Sequence, residues 1–446
     1  MSDLPSGWAL AKMGDLAHWG SGGTPKSDVA EYYGGNIPWV VTGDLTDGLV
    51  RTSTRTLTEI GLAKSSAKLV PSGTVLVAMY GASIGRVGIA SMPLATNQAI
   101  ANAQVYPQAV GPTYLLYYLL SQRSALVAAG KGAAQPNIGQ GTLKEWPIPI
   151  APLAEQARII AAIEEQFSRL DVGVAAVERA RQELVALNRS IIISAIPETY
   201  PRRWQQTTVG EAGQVMLGRQ RSPRYHKGPK MRRYLRVANV FEDRIDTEDI
   251  MSMQFEDAEF ARYRLYPDDI LLNEGQSPHL LGRPAMYRGD PTDVAFTNSL
   301  LRFRSGPGVL PEWALLVFRR HLHMKRFMRE SQITTNIAHL SAGRFKTVEF
   351  PVPPIDEQER ITDSVRVLLS EAAGISALID QQRQRARTLR SSVLAAAFSG
   401  KLVTQDANDE PASVLLGRIA AERASSNGRS PVRTRKPRTP QEKVVI

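Results

Sequence analysis

The fold is decided by a stretch that begins Pro152-Leu-Ala-Glu-Gln-Ala-Arg-Ile159 and ends Leu187-Asn-Arg-Ser-Ile-Ile-Ile-Ser-Ala-Ile196. A second copy, displaced by 202 residues, begins Pro354-Ile-Asp-Glu-Gln-Glu-Arg-Ile361 and ends Leu389-Arg-Ser-Ser-Val-Leu-Ala-Ala-Ala-Phe398. In each copy a proline and an early glutamate are typical of the first turn of a helix, and a single glycine interrupts the residues that follow. The sequence therefore predicts two helices, each about 66 Å long at ~1.5 Å per residue, over residues 153–196 and 355–398.

Apolar side chains recur on one face of each predicted helix at alternating steps of three and four residues. A stripe this narrow needs a partner helix, and two copies in one chain favour pairing with each other. Packing of each helix on its own globular domain is the alternative. The residues expected to pair the helices are Ile163, Phe167, Leu170, Val174, Val177, Leu184, Ile191, Val365, Leu368, Ile375, Ile379, Leu389 and Val393.

The globular sequence before each helix is repeated as well, at an offset close to 196 residues. Trp204 corresponds to Trp8, and the turn Tyr266-Pro-Asp-Asp-Ile270 corresponds to Val70-Pro-Ser-Gly-Thr74. Before the second helix, we match Asn336-Ile337 with Asn137-Ile138. Turns and strand starts repeat whereas the loop residues between them differ, which predicts one scaffold presented twice with two different surfaces.

The predicted fold is α+β, with two similar mixed α/β domains in a pseudo-two-fold internal repeat. Each domain is followed by a long helix, and the two helices are expected to pair as an antiparallel coiled coil. The predicted segments are a first globular domain at 1–152, a helix at 153–196, a second globular domain at 197–353, a helix at 354–400, and a C-terminal helix with a basic disordered tail at 401–446.

Composition restricts the class of protein. A chain of 446 residues with a net charge of +11 favours an acidic polymer or surface as its partner. Cysteine is missing from the sequence, which excludes disulfides and thiol chemistry. The sequence has neither a long apolar run nor a charged-then-apolar leader, so we expect a cytoplasmic protein without a membrane partner.

Motifs for catalysis are missing from the sequence. It contains no Gly-x-x-x-x-Gly-Lys-[Ser/Thr] loop for nucleotide phosphates and no Asn-Pro-Pro-aromatic tetrapeptide of amino-methyltransferases. Asp268, Glu274 and Gln276 resemble a metal-dependent nuclease core only faintly, because the spacing is short and glutamine replaces lysine. We therefore predict neither a catalytic site nor a metal site on this chain, and keep a cryptic nuclease as an alternative.

The strongest local charge signal opens the second globular domain. Residues 219–236 carry eight lysines and arginines without an acidic residue, and tyrosines are interleaved with them. A run of one sign suits contact with phosphates, and arginine can also form paired hydrogen bonds with guanine edges. A solvated loop that keeps the protein soluble is the alternative explanation.

Several of these motifs resemble the specificity subunits of type I restriction-modification systems. They are the two Pro-x-x-Glu-Gln-x-Arg-Ile segments, Ser21-Gly-Gly-Thr-Pro25, Ile37-Pro-Trp39 and the ending Ala397-Phe-Ser-Gly-Lys-Leu402. The resemblance extends over nearly the whole chain, from about Leu4 to Arg423. It implies that each globular domain is a target recognition domain that reads one half of a bipartite double-stranded DNA sequence.

The same resemblance implies a non-catalytic role within a larger complex. In such a complex the long helices would set the distance between the half-sites and dock two methylation subunits, and restriction subunits would be further partners. S-adenosylmethionine, ATP and Mg²⁺ would be bound by those partner subunits and not by this chain. A free-standing regulator of a two-part operator is the alternative function.

Candidate DNA contacts lie in the polar and basic loops of both domains. In the first domain they are Thr24, Lys26, Tyr80, Ser83, Arg86, Gln135 and Asn137. In the second domain they are Arg219, Arg221, Arg224, Tyr225, Lys227, Gln276, His279, Arg283, Thr335 and Asn336.

Overall fold

The structure is a computed structural model that describes residues 4–130, 137–330, 332–334 and 337–427. Its contacts divide the chain into unit 1, formed by Met1–Ala175 and Arg383–Ile446, and unit 2, formed by Ala176–Gln382. Each unit contains one globular domain and a part of both long helices. The predicted contact residues Gln135, Thr335 and Asn336, and the predicted basic tail, lie outside the described residues.

The first domain combines short strands and short helices. Its strands are Ala9–Lys12 (β1), Ala17–Ser21 (β2), Tyr33–Val40 (β3), Gly48–Val50 (β4), Arg55–Leu57 (β5), Leu69–Val70 (β6), Val75–Ala78 (β7), Val87–Ala90 (β8), Leu94–Thr96 (β9), Ile100–Val105 (β10) and Pro147–Ile150 (β11). Its helices are Met13–Leu16 (α1), Glu59–Ala63 (α2), Pro112–Ser121 (α3), Arg123–Ala129 (α4) and Gln140–Glu145 (α5), followed by the long helix Leu153–Ser194 (α6). Single turns of 3-10 helix lie at Ala30–Tyr32, Thr42–Asp44 and Gly81–Ser83.

Strand β7 lies at the centre of the first domain, in a five-stranded sheet of order β2-β10-β7-β8-β4. All four of its residues are buried, because both faces of the sheet are covered. Val75 and Val77 face the core that includes helix α3, whereas Leu76 and Ala78 face a second core shared with Val40. A four-stranded sheet of order β5-β3-β9-β6 completes the domain, together with the pair β1-β11.

The second domain has the corresponding elements. Its strands are Gln205–Thr208 (β12), Gly213–Leu217 (β13), Met231–Leu235 (β14), Val240–Phe241 (β15), Arg244–Ile245 (β16), Met251–Gln254 (β17), Ile270–Asn273 (β18), Gly275–Gln276 (β19), Pro284–Met286 (β20), Val294–Phe296 (β21), Leu300–Ser305 (β22), Gln332–Thr334 (β23), Ile337–His339 (β24) and Glu349–Val352 (β25). Its helices are Val209–Ala212 (α7), Asp257–Tyr263 (α8), Pro311–His323 (α9), Arg326–Arg329 (α10) and Ala342–Lys346 (α11), followed by the long helix Ile355–Phe398 (α12) and by Ala412–Asn427 (α13). Single 3-10 turns lie at Pro223–Tyr225, Val237–Asn239 and Pro278–Leu280.

The internal repeat is visible in the sheet topology. The order β13-β22-β18-β20 in the second domain reproduces β2-β10-β7-β8 of the first. Likewise, β17-β14-β21 reproduces β5-β3-β9, and β12-β25 reproduces β1-β11. These correspondences confirm the predicted fold of two similar mixed α/β domains, each followed by a long helix.

The two long helices run antiparallel within each unit. In unit 2, Val177 and Leu184 of α6 pack with Ala372 and Ile379 of α12. Further along α6 in the same unit, Leu187 and Ile191 line a groove together with the preceding turns of α12. In unit 1, the Arg390 guanidinium of α12 lies over the Phe167 ring of α6, and Arg390 donates a hydrogen bond to Asp171. Residue numbers therefore increase along α6 in the direction in which they decrease along α12.

The apolar contact along the helices is less continuous than the sequence predicts. Leu368, Ile375 and Leu389 were expected to be covered by the partner helix, but they are 46%, 47% and 42% exposed. Small side chains in the facing turns, such as Ser190 and Ser364, leave a groove of about 560 Å³ open in unit 2. The remaining predicted pairing positions range from fully buried to half-buried.

Each long helix is attached to its domain through the Glu-Gln pair in its first turn. The Gln156 side-chain amide donates to Ala109 O at 2.8 Å and to Ala151 O at 2.9 Å. Gln358 does the same at Gly308 O (2.9 Å) and Pro353 O (2.8 Å). The repeated glutamine therefore satisfies buried carbonyl groups of the preceding loops, and this explains its place in the motif.

The glutamate of the pair has different surroundings in each unit. In unit 2, the Glu357 carboxylate accepts hydrogen bonds from Arg203 Nε (2.9 Å), Arg203 Nη2 (2.8 Å) and Trp204 Nε1 (2.9 Å). In unit 1, Glu155 is buried and its pKa is raised by that burial. Arg158 pairs there with Asp409 of the C-terminal segment at 2.6 Å.

The C-terminal segment is part of the first domain's core. Ala412, Leu415 and Ile419 of α13 are buried, and the backbone N–H of Ala412 donates to Gly7 O at 2.8 Å. Within the described part of the chain, no helix is long and apolar enough to cross a membrane.

The Glu357 interaction gives a testable prediction of stability. Its hydrogen bonds from Arg203 and Trp204 lower the pKa of the Glu357 carboxyl, so the interaction stabilises unit 2 at neutral pH. We expect Glu357→Gln to lower the free energy of unfolding by about 1–3 kcal/mol near pH 7. The difference from the parent should shrink as the pH falls below the normal glutamate pKa of about 4.3, where the parent carboxyl becomes protonated.

Thermal unfolding of both proteins across this pH range is the measurement. Glu359→Gln is the matched control, because Glu359 is exposed in the same turn of α12. An equal loss of stability for Glu357→Gln at every pH would show that an ionised Glu357 is not what stabilises the domain.

Candidate nucleic-acid interface

Four segments of the first domain meet at one end of its sheets. We define residues 22–26, 79–86, 96–98 and 137 as the first loop edge. Backbone hydrogen bonds connect these segments: Gly23 N–H donates to Thr96 O at 2.9 Å, and Ile138 N–H donates to Met79 O at 2.9 Å. Tyr80 and Asn137 form an isolated antiparallel bridge.

The Ser-Gly-Gly-Thr-Pro motif supports this edge by allowing two segments to approach closely. A Cβ at Gly22 would lie 2.0 Å from Thr96 O, and a Cβ at Gly23 would lie 2.3 Å from the carbonyl carbon of Ser66. The indole N–H of Trp39, from the Ile-Pro-Trp motif, donates to Gly23 O at 3.1 Å. These two motifs are therefore structural, and they fix the loop that carries Thr24 and Lys26.

The structure brings together most of the predicted contact residues of the first domain. The Thr24 hydroxyl bonds to the Gln98 side chain, and Lys26 is exposed. Tyr80 is exposed beside Asn137, and Arg86 is exposed at the end of the following turn. Ser83 is half-buried in that turn, where its carbonyl accepts from Arg86 N–H at 2.9 Å.

The second domain has an equivalent edge. We define residues 219–221, 274–279, 297–299 and 339 as the second loop edge. Asn298 N–H donates to Arg219 O at 3.0 Å, and Glu274 N–H donates to Ser299 O at 3.0 Å. Gly218 takes the place of Gly22, because a Cβ there would lie 2.2 Å from Thr297 O.

The backbone at this edge corrects the predicted register of the repeat. Leu340 N–H donates to Glu274 O at 2.8 Å, as Ile138 N–H donates to Met79 O in the first domain. His339, and not Asn336, is therefore the counterpart of Asn137. The match of Asn336-Ile337 with Asn137-Ile138 was wrong by three residues, whereas the offset of 202 that relates the long helices also relates these positions.

Arg219 is not a surface residue, contrary to its predicted role in contacting DNA. It is 5% exposed, and its Nε donates to Glu259 at 2.6 Å. Its guanidinium carbon lies 4.0 Å from the centroid of the Tyr225 ring and 4.4 Å from that of Phe255. The ion pair and the two rings fix the basic loop onto the domain, and Tyr225 is used in the same contact.

Arg283 also points inward, which differs from the prediction. Its Nη2 donates to Val240 O at 2.6 Å, and its guanidinium lies over the Phe241 ring. Burial lowers the pKa of the Arg283 guanidinium. Two predicted neighbours do lie at the second loop edge, since Gln276 is half-buried there and His279 is exposed.

The exposed cations of the basic loop fall into two groups. Lys230 pairs with Asp257 at 2.6 Å, and Arg236 pairs with Asp249. Arg221, Arg224, Lys227 and Arg233 are exposed and have no carboxylate partner among the described residues, and Arg233 donates to Thr292 O at 2.8 Å. Within residues 221–227, the positive charge available to a phosphate is therefore carried by Arg221, Arg224 and Lys227.

Sequence reasoning missed two residues of the second loop edge as contact candidates. The Glu274 carboxylate lies 3.3 Å from His339 Nδ1, and both side chains are partly exposed. The offset of 202 residues that relates the two long helices also relates Asn137 to His339, and it was the signal that could have identified His339.

The residues that faintly resembled a nuclease core form a turn. Asp268 has a positive φ of 72°, and the Asp269 carboxylate pairs with Arg304 at 2.7 Å. In the described ranges, no group of three or more histidine, aspartate or glutamate side chains could hold a metal ion.

Comparison with known proteins agrees with this architecture. Residues 5–172 match the family model described as the type I restriction modification DNA specificity domain. The chain is 23% identical to the EcoKI specificity subunit of Escherichia coli K12 and 24% identical to the StySPI specificity subunit of Salmonella potsdam. Both alignments cover 96% of this chain and 97% of the relative. A chain solved in a study of type I restriction-modification complex assembly shares the fold with a TM-score of 0.70 at 17% identity, over 90% of this chain and 100% of that one.

These matches define the first domain as a DNA specificity domain. The two specificity subunits align with almost the whole chain, including the second domain and the helices. The chain is therefore similar to type I restriction-modification specificity subunits along its length, and the family model itself covers residues 5–172. This result supports the specificity-subunit interpretation over that of a free-standing regulator.

The two groups of arginines in the basic loop give opposite predictions. We expect Arg221→Ala/Arg224→Ala to leave the fold intact and to reduce the slope of log binding constant against log salt by about 1.8, or about 0.9 for each phosphate contact. We expect Arg219→Ala to destabilise unit 2 by about 3 kcal/mol, because it leaves Glu259 without its partner.

Binding to duplex DNA at several salt concentrations, together with thermal unfolding, tests both expectations. Arg385→Ala/Arg387→Ala on α12 is the control with the same charge change, since both arginines are exposed on the long helix. An unchanged slope for the Arg221/Arg224 variant would remove this loop from the phosphate contacts.

Proposed function

We propose that each domain of this specificity subunit binds one half of a bipartite double-stranded DNA target through its loop edge. The observation that carries this proposal is a repeated scaffold with different side chains at equivalent places. Asn137 in the first domain corresponds to His339 in the second, and Met79 corresponds to Glu274. Equivalent backbones with different hydrogen-bonding groups suit two different half-sites.

Charge supports DNA as the ligand of both edges. The chain carries a net charge of +11, and the exposed cations Arg221, Arg224 and Lys227 lie next to the second loop edge. Phosphate contacts from such residues position a domain on the duplex, and polar side chains at the edge then reach base edges in the grooves. In the first domain, Lys26 and Arg86 are the exposed cations of the first loop edge.

The long helices would fix the distance between the two half-sites. Gln156 and Gln358 attach the first turn of each helix to its domain through buried hydrogen bonds. Lengthening a helix that is attached in this way would move its domain by about 1.5 Å for each added residue. The spacer between the half-sites would therefore follow the helix length.

Each unit has a groove between a domain helix and a long helix. Groove A, of about 790 Å³ in unit 1, lies between α3 and α6 and includes Asp47, Tyr117, Arg123, Phe167 and Val172. Groove B, of about 840 Å³ in unit 2, lies between α9 and α12 and includes Asp243, Leu316, Arg319, Arg366 and Leu369.

The two grooves are built in the same way. Asp47 and Asp243 both have a positive φ, of 66° and 54°. The backbone N–H of Asp47 donates to Val87 O of β8 at 2.9 Å, and that of Asp243 donates to Pro284 O of β20, also at 2.9 Å. Each carboxylate pairs with an arginine on the other wall, Arg123 in groove A and Arg319 in groove B. Grooves repeated in this way would accept two copies of one partner.

We therefore assign the grooves to two methylation subunits, the partners that the family implies, with restriction subunits joining the complex. Catalysis would be performed by those partners, which would also bind S-adenosylmethionine, ATP and Mg²⁺. This chain would contribute the recognition of the target and the geometry of the complex. The apolar side chains and the ion pair in each groove are typical of a protein–protein contact.

Exchange of one domain tests the assignment of the half-sites. Replacing residues 204–350 by the corresponding domain of another family member should change one half of the target and leave the other half and the spacer unchanged. The measurement is methylation of a randomised duplex library by the chimera co-expressed with its methylation subunit. A chimera that changes both half-sites would contradict the assignment of one half-site to each domain.

Substitution in groove A tests the partner stoichiometry. Val172 is 70% exposed in this groove, so Val172→Glu should place a charge in the contact and reduce the bound methylation subunits from two to one. Val185→Glu is the matched control, since Val185 is 65% exposed on the same helix and outside both grooves. Native mass spectrometry of the complexes gives the count, and two subunits bound to the Val172 variant would exclude groove A as a docking site.

A further inference from the structure

An acidic side chain lies at the second loop edge, next to the exposed cations of the domain. Glu274 directly follows strand β18, and its backbone is held by Ser299 O on one side and Leu340 N–H on the other. Its side chain is 21% exposed, and Oε2 lies 3.3 Å from His339 Nδ1. Oε1 has no hydrogen-bond partner among the described residues.

A carboxylate at this place cannot serve the phosphate contacts. An ionised carboxylate only accepts hydrogen bonds, and phosphate oxygens also only accept, so the two groups repel each other. On the major-groove edges of the bases, the hydrogen-bond donors are the exocyclic amino groups, N4 of cytosine and N6 of adenine. A carboxylate at a DNA-facing edge therefore matches an exocyclic amino group and no part of the backbone.

His339 holds the carboxylate in place. The backbone of His339 is fixed in strand β24, where it pairs with Gly275 of β19. Gly275 is the residue that follows Glu274. A hydrogen bond between the imidazole and Oε2 leaves Oε1 to accept from the ligand. The carboxylate is thereby oriented by a neighbour on a paired strand, and its position does not depend on a mobile loop.

The first domain has no such pair at its equivalent positions. Met79, the counterpart of Glu274, is buried, and Asn137, the counterpart of His339, carries a neutral amide. The side chains that follow differ too, since Tyr80 is exposed where the second domain has Gly275. The two edges therefore present different hydrogen-bonding groups on the same backbone.

From these contacts, we propose that Glu274 reads an exocyclic amino group on one base of the second half-site, with His339 as its positioning residue. This inference rests on the proposed function of the second domain. Glu274 supplies specificity at a single base pair, while Arg221, Arg224 and Lys227 supply the binding that does not depend on sequence. The amino group belongs to either cytosine or adenine, and the experiment distinguishes the two.

The test combines a substitution with removal of the amino group from the DNA. The full chain with its methylation subunit is used first to find the base pair at which Glu274→Met loses discrimination, because methionine, the residue of the first domain at this position, cannot accept the hydrogen bond as glutamate does. Duplexes are then prepared with purine in place of adenine, or zebularine in place of cytosine, at that base pair. We expect the analogue to weaken binding by the parent about tenfold or more, and to weaken binding by Glu274→Met only slightly.

Two further variants separate specificity from charge and from folding. Glu198→Gln carries the same charge change in the segment before β12, at the end of the domain that holds Trp204, and should keep the motif of the parent. His339→Asn introduces the residue of the first domain, and should prefer the same base with several-fold weaker discrimination. Binding of Glu274→Met to unrelated DNA should be as tight as that of the parent, or tighter.

An analogue that weakens the parent and Glu274→Met equally would overturn the proposal, because the amino group would then be read elsewhere. A motif for Glu274→Met identical to that of the parent at every position would also overturn it. If the parent itself methylates no bipartite motif, then the proposed function fails together with this inference. A bipartite motif that is unaffected by Glu274→Met would leave the proposed function standing and reject only the role of Glu274.

Discussion

The attachment of each long helix to its domain is the constraint on which the rest of the structure depends. Gln156 and Gln358 satisfy carbonyl groups in buried loops, and in unit 2 the neighbouring Glu357 also binds Arg203 and Trp204. Without these bonds, buried polar groups would lose their partners and the helix could move relative to the sheet. This rigidity suits the proposed function, in which each domain would place one half-site and the helices would set the distance between them.

Each domain separates a fixed scaffold from a variable edge. Gly22 and Gly218 let the first loop of each edge pass within contact distance of a threonine carbonyl, and hydrogen bonds to Met79 O and Glu274 O hold the last segment. These contacts use backbone atoms, so they do not depend on which side chains the edge presents. Side chains there can differ without disturbing the sheets, which is how one fold supports two specificities.

The sequence predicted the parts of the fold that depend on periodicity and duplication. The helix α12 begins and ends where the apolar pattern places it, and α6 ends two residues before the predicted Ile196. It could not predict that Arg219 is buried, because its partners Glu259 and Phe255 come from α8 and the end of β17 and become neighbours only in the folded domain. Nor could local matching find His339, since the repeat offset drifts from 196 at Trp204 to 202 at the long helices.

The burial of Arg219 changes how the basic loop should be understood. The basic residues of this loop are neighbours in the sequence, but they have different roles in the structure. Their burial distinguishes the structural residue from the exposed ones. Arg219 is paired with Glu259 and covered by two aromatic rings, so its charge is not available to a ligand on the surface. Arg221, Arg224 and Lys227 retain an unneutralised charge on the surface because Arg219 holds the loop that carries them. If the basic loop contacts DNA as proposed, Arg219, the first cation of the run, would contribute only by positioning the others.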